Sequence, residues 1–104
     1  MDHALLAIKR LCLADRIAFT LKAREEMAMD GLTRGQVREA MLNADRIQRR
    51  LRSANPDTGR RETLYVINSC TWEGEKIYTK GKIAAVAGED RFYVLISSKR
   101  SIEI

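Results

Sequence analysis

Val37-Arg38-Glu39-Ala40-Met41-Leu42-Asn43-Ala44-Asp45-Arg46-Ile47-Gln48-Arg49-Arg50-Leu51-Arg52 is where the periodicity of the chain changes. Up to Ala44 the apolar residues Val37, Ala40, Met41 and Ala44 return every three or four positions, the spacing of one helix face. After Asp45 the period drops to two: Ile47, Arg49 and Leu51 alternate with Arg46, Gln48, Arg50 and Arg52, as side chains do along a strand. Helical signals lie before this point and strand signals after it. The 104 residues therefore predict one α+β domain of two layers, with N-terminal helices (1–45) packed on a C-terminal antiparallel β-sheet (46–104).

Working back from the switch, Leu32-Thr33-Arg34-Gly35-Gln36-Val37 is a strong helix start. Thr33 is the N-cap, Gln36 completes a capping box, and Leu32 and Val37 form a hydrophobic staple. Gly31 suits the left-handed end of a preceding helix that begins at the cap Thr20 and carries Ala23, Met27 and Ala28 inward. Residues 16–20 are expected to be extended. Ala4 to Leu13 reads as an amphipathic helix, with Leu5, Ile8, Leu11 and Cys12 on one side and Lys9 and Arg10 on the other.

Working forward, Asn55-Pro56-Asp57-Thr58-Gly59, Glu73-Gly74 and Gly88-Glu89-Asp90 are turn signals. They divide the remainder into strands over about 61–69, 76–86 and 92–98, and short turns between strands predict an antiparallel meander. Lys76, Tyr78, Lys80 and Lys82 share one parity, opposite Ile77, Thr79 and Ile83, which puts three ammonium groups and a phenol on one face. Phe92-Tyr93-Val94-Leu95-Ile96 is apolar on both faces and belongs inside the sheet. It runs out into Ser97-Ser98-Lys99-Arg100, where hydroxyls and cations cluster.

Residues 1–45 hold seven basic and seven acidic residues, whereas 46–104 hold twelve and seven, so the net charge of +5 falls wholly on the strand half. Its densest part is Arg46, Arg49, Arg50, Arg52, Arg60 and Arg61, opposed by Asp57 alone. This asymmetry points to a polyanionic partner. No apolar run is long enough for a membrane span, and the start lacks the features of a secretory signal. Cys12 and Cys70 have no metal-ligand spacing and are expected to be reduced thiols in a cytoplasmic protein.

The single histidine, His3, sits at a terminus, which argues against His-based acid–base pairs and Ser-His or Cys-His nucleophiles. No glycine-rich nucleotide motif occurs, and no cofactor or metal is expected. Lys, Arg, Tyr, Glu and Ser remain, a set sufficient to cleave RNA, because the substrate's own 2′-hydroxyl is the nucleophile. Fixed cations stabilise charge developing on the phosphate. A Tyr whose pKa is lowered by neighbouring ammonium groups, or a Glu, moves protons. Tyr78 between Lys76 and Lys80 is such an arrangement, and Trp72 and Tyr93 are candidates for stacking on bases.

The order of a short amphipathic helix, extended Arg16-Ile17-Ala18-Phe19-Thr20, two helices split at Gly31-Leu32-Thr33 and a basic sheet resembles the MqsR-like toxins of bacterial toxin–antitoxin pairs, in the broader RelE-like group that includes BrnT. Ile77-Tyr78-Thr79-Lys80-Gly81-Lys82 and Val94-Leu95-Ile96-Ser97-Ser98-Lys99 carry the rest of the likeness. The resemblance implies a RelE-like fold and a metal-independent mRNA interferase held in check by an antitoxin with a zinc-binding or helix-turn-helix half. It implies catalytic roles for Tyr78 and Lys99, with Arg50 in place of a further family Lys. Glu62 lies nearest a family Gln, and Lys22 stands where related small proteins carry a His. Catalysis is thus expected from Tyr78, Lys99, Lys80 and Arg50. RNA binding is expected from Arg46, Arg49, Arg52, Arg61, Lys76, Lys82 and Arg100. The residues alone leave two alternatives open: a non-catalytic RNA-binding module, and a protein-interaction domain whose basic face takes an acidic partner.

Overall fold

The structure, a computed structural model, describes residues 2–86 and 90–102. The first helix, α1 (His3–Leu13), is capped by Asp2, whose carboxylate accepts from the Ala4 and Leu5 amides, and it turns Leu5, Ile8 and Cys12 inward. A three-residue strand, β1 (Ile17–Phe19), follows. Thr20 then caps α2 (Leu21–Asp30), which stops at Gly31 with φ 67°, a backbone conformation that costs glycine little. Next, α3 (Arg34–Asn43) starts on the Thr33–Gln36 capping box. The staple residues Leu32 and Val37 are both in the core.

The strands are β2 (Arg49–Ala54), β3 (Arg61–Cys70), β4 (Lys76–Val86) and β5 (Asp90–Arg100). Asn55 shapes the β2–β3 hairpin by accepting from the amides of Asp57 and Thr58, an Asx turn. Of the turn expected at Gly88-Glu89-Asp90, Gly88 and Glu89 lie outside the described residues. β2 begins later than the alternation from Ile47 predicts. At Gln48 the side chain takes over the ladder, its Nε2 donating to the Asn68 carbonyl (3.1 Å) while its Oε1 accepts from the Asn68 amide (2.7 Å).

The sheet order is β1-β5-β4-β3-β2. The meander β2 to β5 is antiparallel, but β1 joins β5 in parallel, so the sheet is mixed rather than purely antiparallel. The layer arrangement is the α+β one the periodicity predicts. One core joins Leu5, Ile8 and Cys12 of α1, Val37, Ala40 and Met41 of α3, and Ile67, Ile77, Tyr93 and Leu95 of the sheet. Burial pushes the Cys12 thiol up to about 12, against the pull of Arg38 and Arg34. Cys70 is exposed, and the two cysteines are not bridged. No helix among the described residues is long and apolar enough to cross a membrane.

One irregularity positions the site. β4 and β5 pair without a break from Val86↔Asp90 to Gly81↔Leu95, then resume at Lys80↔Ser97. Ile96 is therefore an extra residue, a β-bulge that reverses the facing of everything after it. Before it, Tyr93 and Leu95 point into the core. After it, Ser97 and Lys99 share the opposite face with Lys80 and Tyr78. Strict alternation from Tyr93 would have put Lys99 beneath the helices.

Candidate nucleic-acid interface

The face turned away from α1 and α3 is set by register. One row across the strands reads Arg49, Val66, Lys80, Ser97, and the next reads Asn68, Tyr78, Lys99. Lys76 stands opposite Cys70, and Lys82 opposite Val94. None of Leu51, Leu64, Val66 or Val94 belongs to the core shared with the helices. Val66 is nonetheless buried. Its cross-strand neighbours are Arg49 and Lys80, long side chains whose aliphatic stems cover apolar surface while their charged heads stay wet.

Tyr78 is the centre of this face. Lys76 and Lys80 flank it along β4, and the Lys99 ammonium lies 5.5 Å from its ring centroid. Such a contact favours a cation held over the ring. Lys99 is half exposed and also lies 4.0 Å from Glu26 Oε2. Glu26, on α2, accepts from Ser97 Oγ (2.7 Å) and the Ser98 amide (3.1 Å), and it pairs with Lys22 at 3.5 Å. Partial burial works against its charge. The Ser97 and Ser98 hydrogen bonds, helped by Lys22 and Lys99, outweigh that and hold the carboxyl below the ordinary glutamate range.

Glu26 thus positions Lys99, a role that the sequence pattern did not signal. Asp30, four residues on, accepts from the Arg100 amide (2.7 Å). Two carboxylates one helical turn apart are about 6 Å apart along α2, close to the ~7 Å between alternate amides of a strand. Beyond Phe19, where β1 ends, α2 therefore satisfies the edge of β5 in place of a neighbouring strand.

The expected site residues divide sharply. Tyr78, Lys80 and Lys99 come together, with Lys76 and Arg49 on the same face. Arg46 is exposed beside them. Arg50 does not join them: it is Tyr65's partner on the helix side, lies 5.8 Å from that ring and pairs with Asp2 of the α1 cap. Its hydrogen bond holds the Asp2 carboxyl below the usual range. Arg52 opposite Thr63, and Arg61 opposite Ala54, also belong to the helix-side parity, toward the far end of the sheet. Arg52 donates to Thr63 Oγ1.

Lys82 is on the cationic face, but Glu62 binds it through both carboxylate oxygens at 3.2 Å. Glu62 thus serves to neutralise a lysine. Arg100 is structural as placed: its Nε donates to the Asp30 carbonyl (3.0 Å) and its guanidinium pairs with Glu75. Tyr93 is fully buried and offers no surface to a base, whereas Trp72 is 83% exposed. Its indole N–H donates to Asn43 Oδ1. His3 opens α1 and is exposed.

Two recesses flank Tyr78 and Lys76. One, ≈ 370 Å³, is lined by Asp30, Tyr78, Lys99, Arg100, Ser101 and Ile102. The other, ≈ 320 Å³, includes Arg46, Asn68, Lys76 and again Ser101. Fold and site together define a two-layer α+β domain with a cationic outer sheet face. No family model, no curated protein and no solved structure matches the chain.

Proposed function

We propose that the outer sheet face binds single-stranded RNA and that the protein is a toxin-type endoribonuclease, with mRNA as substrate and a cognate antitoxin as partner. The observation that carries the reading is the convergence of Lys76, Lys80 and Lys99 around one phenol, Tyr78. Lys80 and Lys99 hold the non-bridging oxygens of the scissile phosphate and offset the charge that grows there. The 2′-oxygen attacks phosphorus and the P–O5′ bond breaks, giving a 2′,3′-cyclic phosphate and a 5′-hydroxyl. The 2′-hydroxyl proton passes to water at the open face, and the Tyr78 hydroxyl supplies the proton that the leaving 5′-oxygen takes up. Neither step needs histidine or a metal. Arg50, tied to Asp2 on the other face, has no part in it.

The test is long RNA incubated with purified protein in EDTA. Cleavage with cyclic-phosphate ends is expected. Tyr78→Phe should lower kcat by about 10²–10⁴, the usual worth of a positioned acid, and Lys99→Ala should add to the loss. Intact RNA at high protein concentration, or cleavage undiminished when both substitutions are combined, refutes catalysis. The half-buried setting of Tyr78 beside Asn68 favours a second reading, a non-catalytic RNA-binding face. Salt-sensitive binding of RNA that stays intact selects it. Growth arrest on expression, relieved by the neighbouring open reading frame, is the expected sign of the antitoxin.

A further inference from the structure

We infer that the recess between the start of β2 and the β3–β4 hairpin is a second phosphate site, which takes the phosphodiester next to the scissile one along the RNA. This deepens the RNA-binding reading and rests on it for the identity of the ligand, though not for its phosphate chemistry.

Four observations carry it. First, the recess has charged donors and, among the described residues, no acid: Arg46 and Lys76 line it with Asn68, Ser69 and Ser101, and neither Asp nor Glu does. Second, those two cations are uncompensated among the described residues. Arg50, Lys82 and Arg100 each have a carboxylate partner, whereas Arg46 and Lys76 have no ion pair among the described residues. A cation left without a carboxylate attracts an outside anion more strongly than one already neutralised.

Third, the floor is fixed. The Gln48 amide is engaged at both ends with the Asn68 backbone. The Asn68 side-chain oxygen is buried and, among the described residues, unpaired, so the nitrogen is the end left to face outward as a further donor. A site whose charged groups are both donors selects an anionic ligand rich in acceptors, which phosphate is. Fourth, the recess adjoins the reaction centre. Asn68 is the cross-strand partner of Tyr78, and Lys76 lies two residues from it on the same strand face.

Two measurements on the full chain test this. The first is the salt dependence of binding to a single-stranded oligonucleotide that lacks the attacking 2′-hydroxyl. Arg46→Ala/Lys76→Ala removes the grip on one phosphate and should make the slope of log K against log salt shallower by about 0.7. Arg10→Ala, exposed on α1, should leave the slope unchanged, while kcat on RNA should fall far less in the double variant than its KM rises. The second is titration with inorganic phosphate, read at the Asn68 side-chain amide and the Ser69 backbone amide by NMR, with shifts expected in the wild type and absent from the double variant. If the oligonucleotide binds but slope and shifts do not respond to the substitutions, the second site is refuted and the RNA reading stands. If phosphate shifts these amides and the oligonucleotide does not bind, the site stands as a phosphate site and the RNA reading falls.

Discussion

Gly81 and Tyr93 show how tightly single residues constrain the site. A Cβ on Gly81 would meet Cζ of Tyr93 at 2.7 Å and Cε2 and the hydroxyl oxygen at 2.8 Å. Tyr93 is wholly buried, so the ring has no room to retreat. Gly81→Ala should therefore cost about 1–3 kcal/mol, the usual range for overpacking, seen as a lower urea midpoint with m unchanged. The Tyr93 hydroxyl is buried without a partner among the described residues, and burial raises its pKa far above the ordinary phenol value. Removing an unsatisfied hydroxyl relieves its desolvation cost. Tyr93→Phe should leave the midpoint unchanged or raise it, by up to about 1 kcal/mol, and should offset part of the destabilisation caused by Gly81→Ala. A fall in the midpoint for Tyr93→Phe contradicts this account of the core.

At the scale of elements, α2 acts as the missing neighbour of β5, through Glu26 and Asp30. The folded Glu26 carboxyl lies below its ordinary range. Its contribution is therefore complete above the unfolded value of about 4.3 and is lost as pH falls through the lower folded value. Glu26→Gln should cost about 1–2 kcal/mol at pH 7, and the gap to wild type should close below pH 4 in urea titrations. A gap that stays constant from pH 7 to pH 3 counts against a charged Glu26 at this edge. None of this is legible in the sequence, where Glu26 is one acid among the charged residues of a helix. Local signals were legible because they are local: the Thr33–Gln36 box, the Gly31 stop, the change of period after Asp45 and the parity of β4. β1 is three residues, too short to show a period, and its parallel pairing with β5 joins residues 76 positions apart. The bulge at Ile96 leaves no mark in an apolar run, yet it alone brings Lys99 to the face of Tyr78. Arg50 was misplaced for the converse reason: the arginine run was legible as charge, but which arginines face Asp2 and which face outward depends on the register of β2.

At the scale of the whole molecule, the net +5 of the strand half acts in two ways that separate experimentally. A long-range field speeds the approach of any polyanion and is screened by salt beyond about 10 Å at 0.1 M. At low salt, where the screening length reaches the size of the molecule, it depends on total charge more than on which face carries it. Local phosphate contacts depend on placement, and here the sheet sorts equal charges onto opposite sides. Lys80 lies beside Tyr78 on the outer face, and Arg52 lies on the helix-side face against Thr63. Lys80→Glu and Arg52→Glu change the total charge by the same amount, and both positions lie on antiparallel strands. The association rate with single-stranded RNA at low salt should therefore drop by similar factors in the two variants. The dissociation rate should rise strongly in Lys80→Glu and little in Arg52→Glu, because only the first removes a group that touches the bound strand. At about 0.3 M salt, where the long-range part is screened, Arg52→Glu should approach wild-type affinity and Lys80→Glu should remain weak. Equal dissociation rates in the two variants would show that RNA is held by diffuse charge rather than by the outer face.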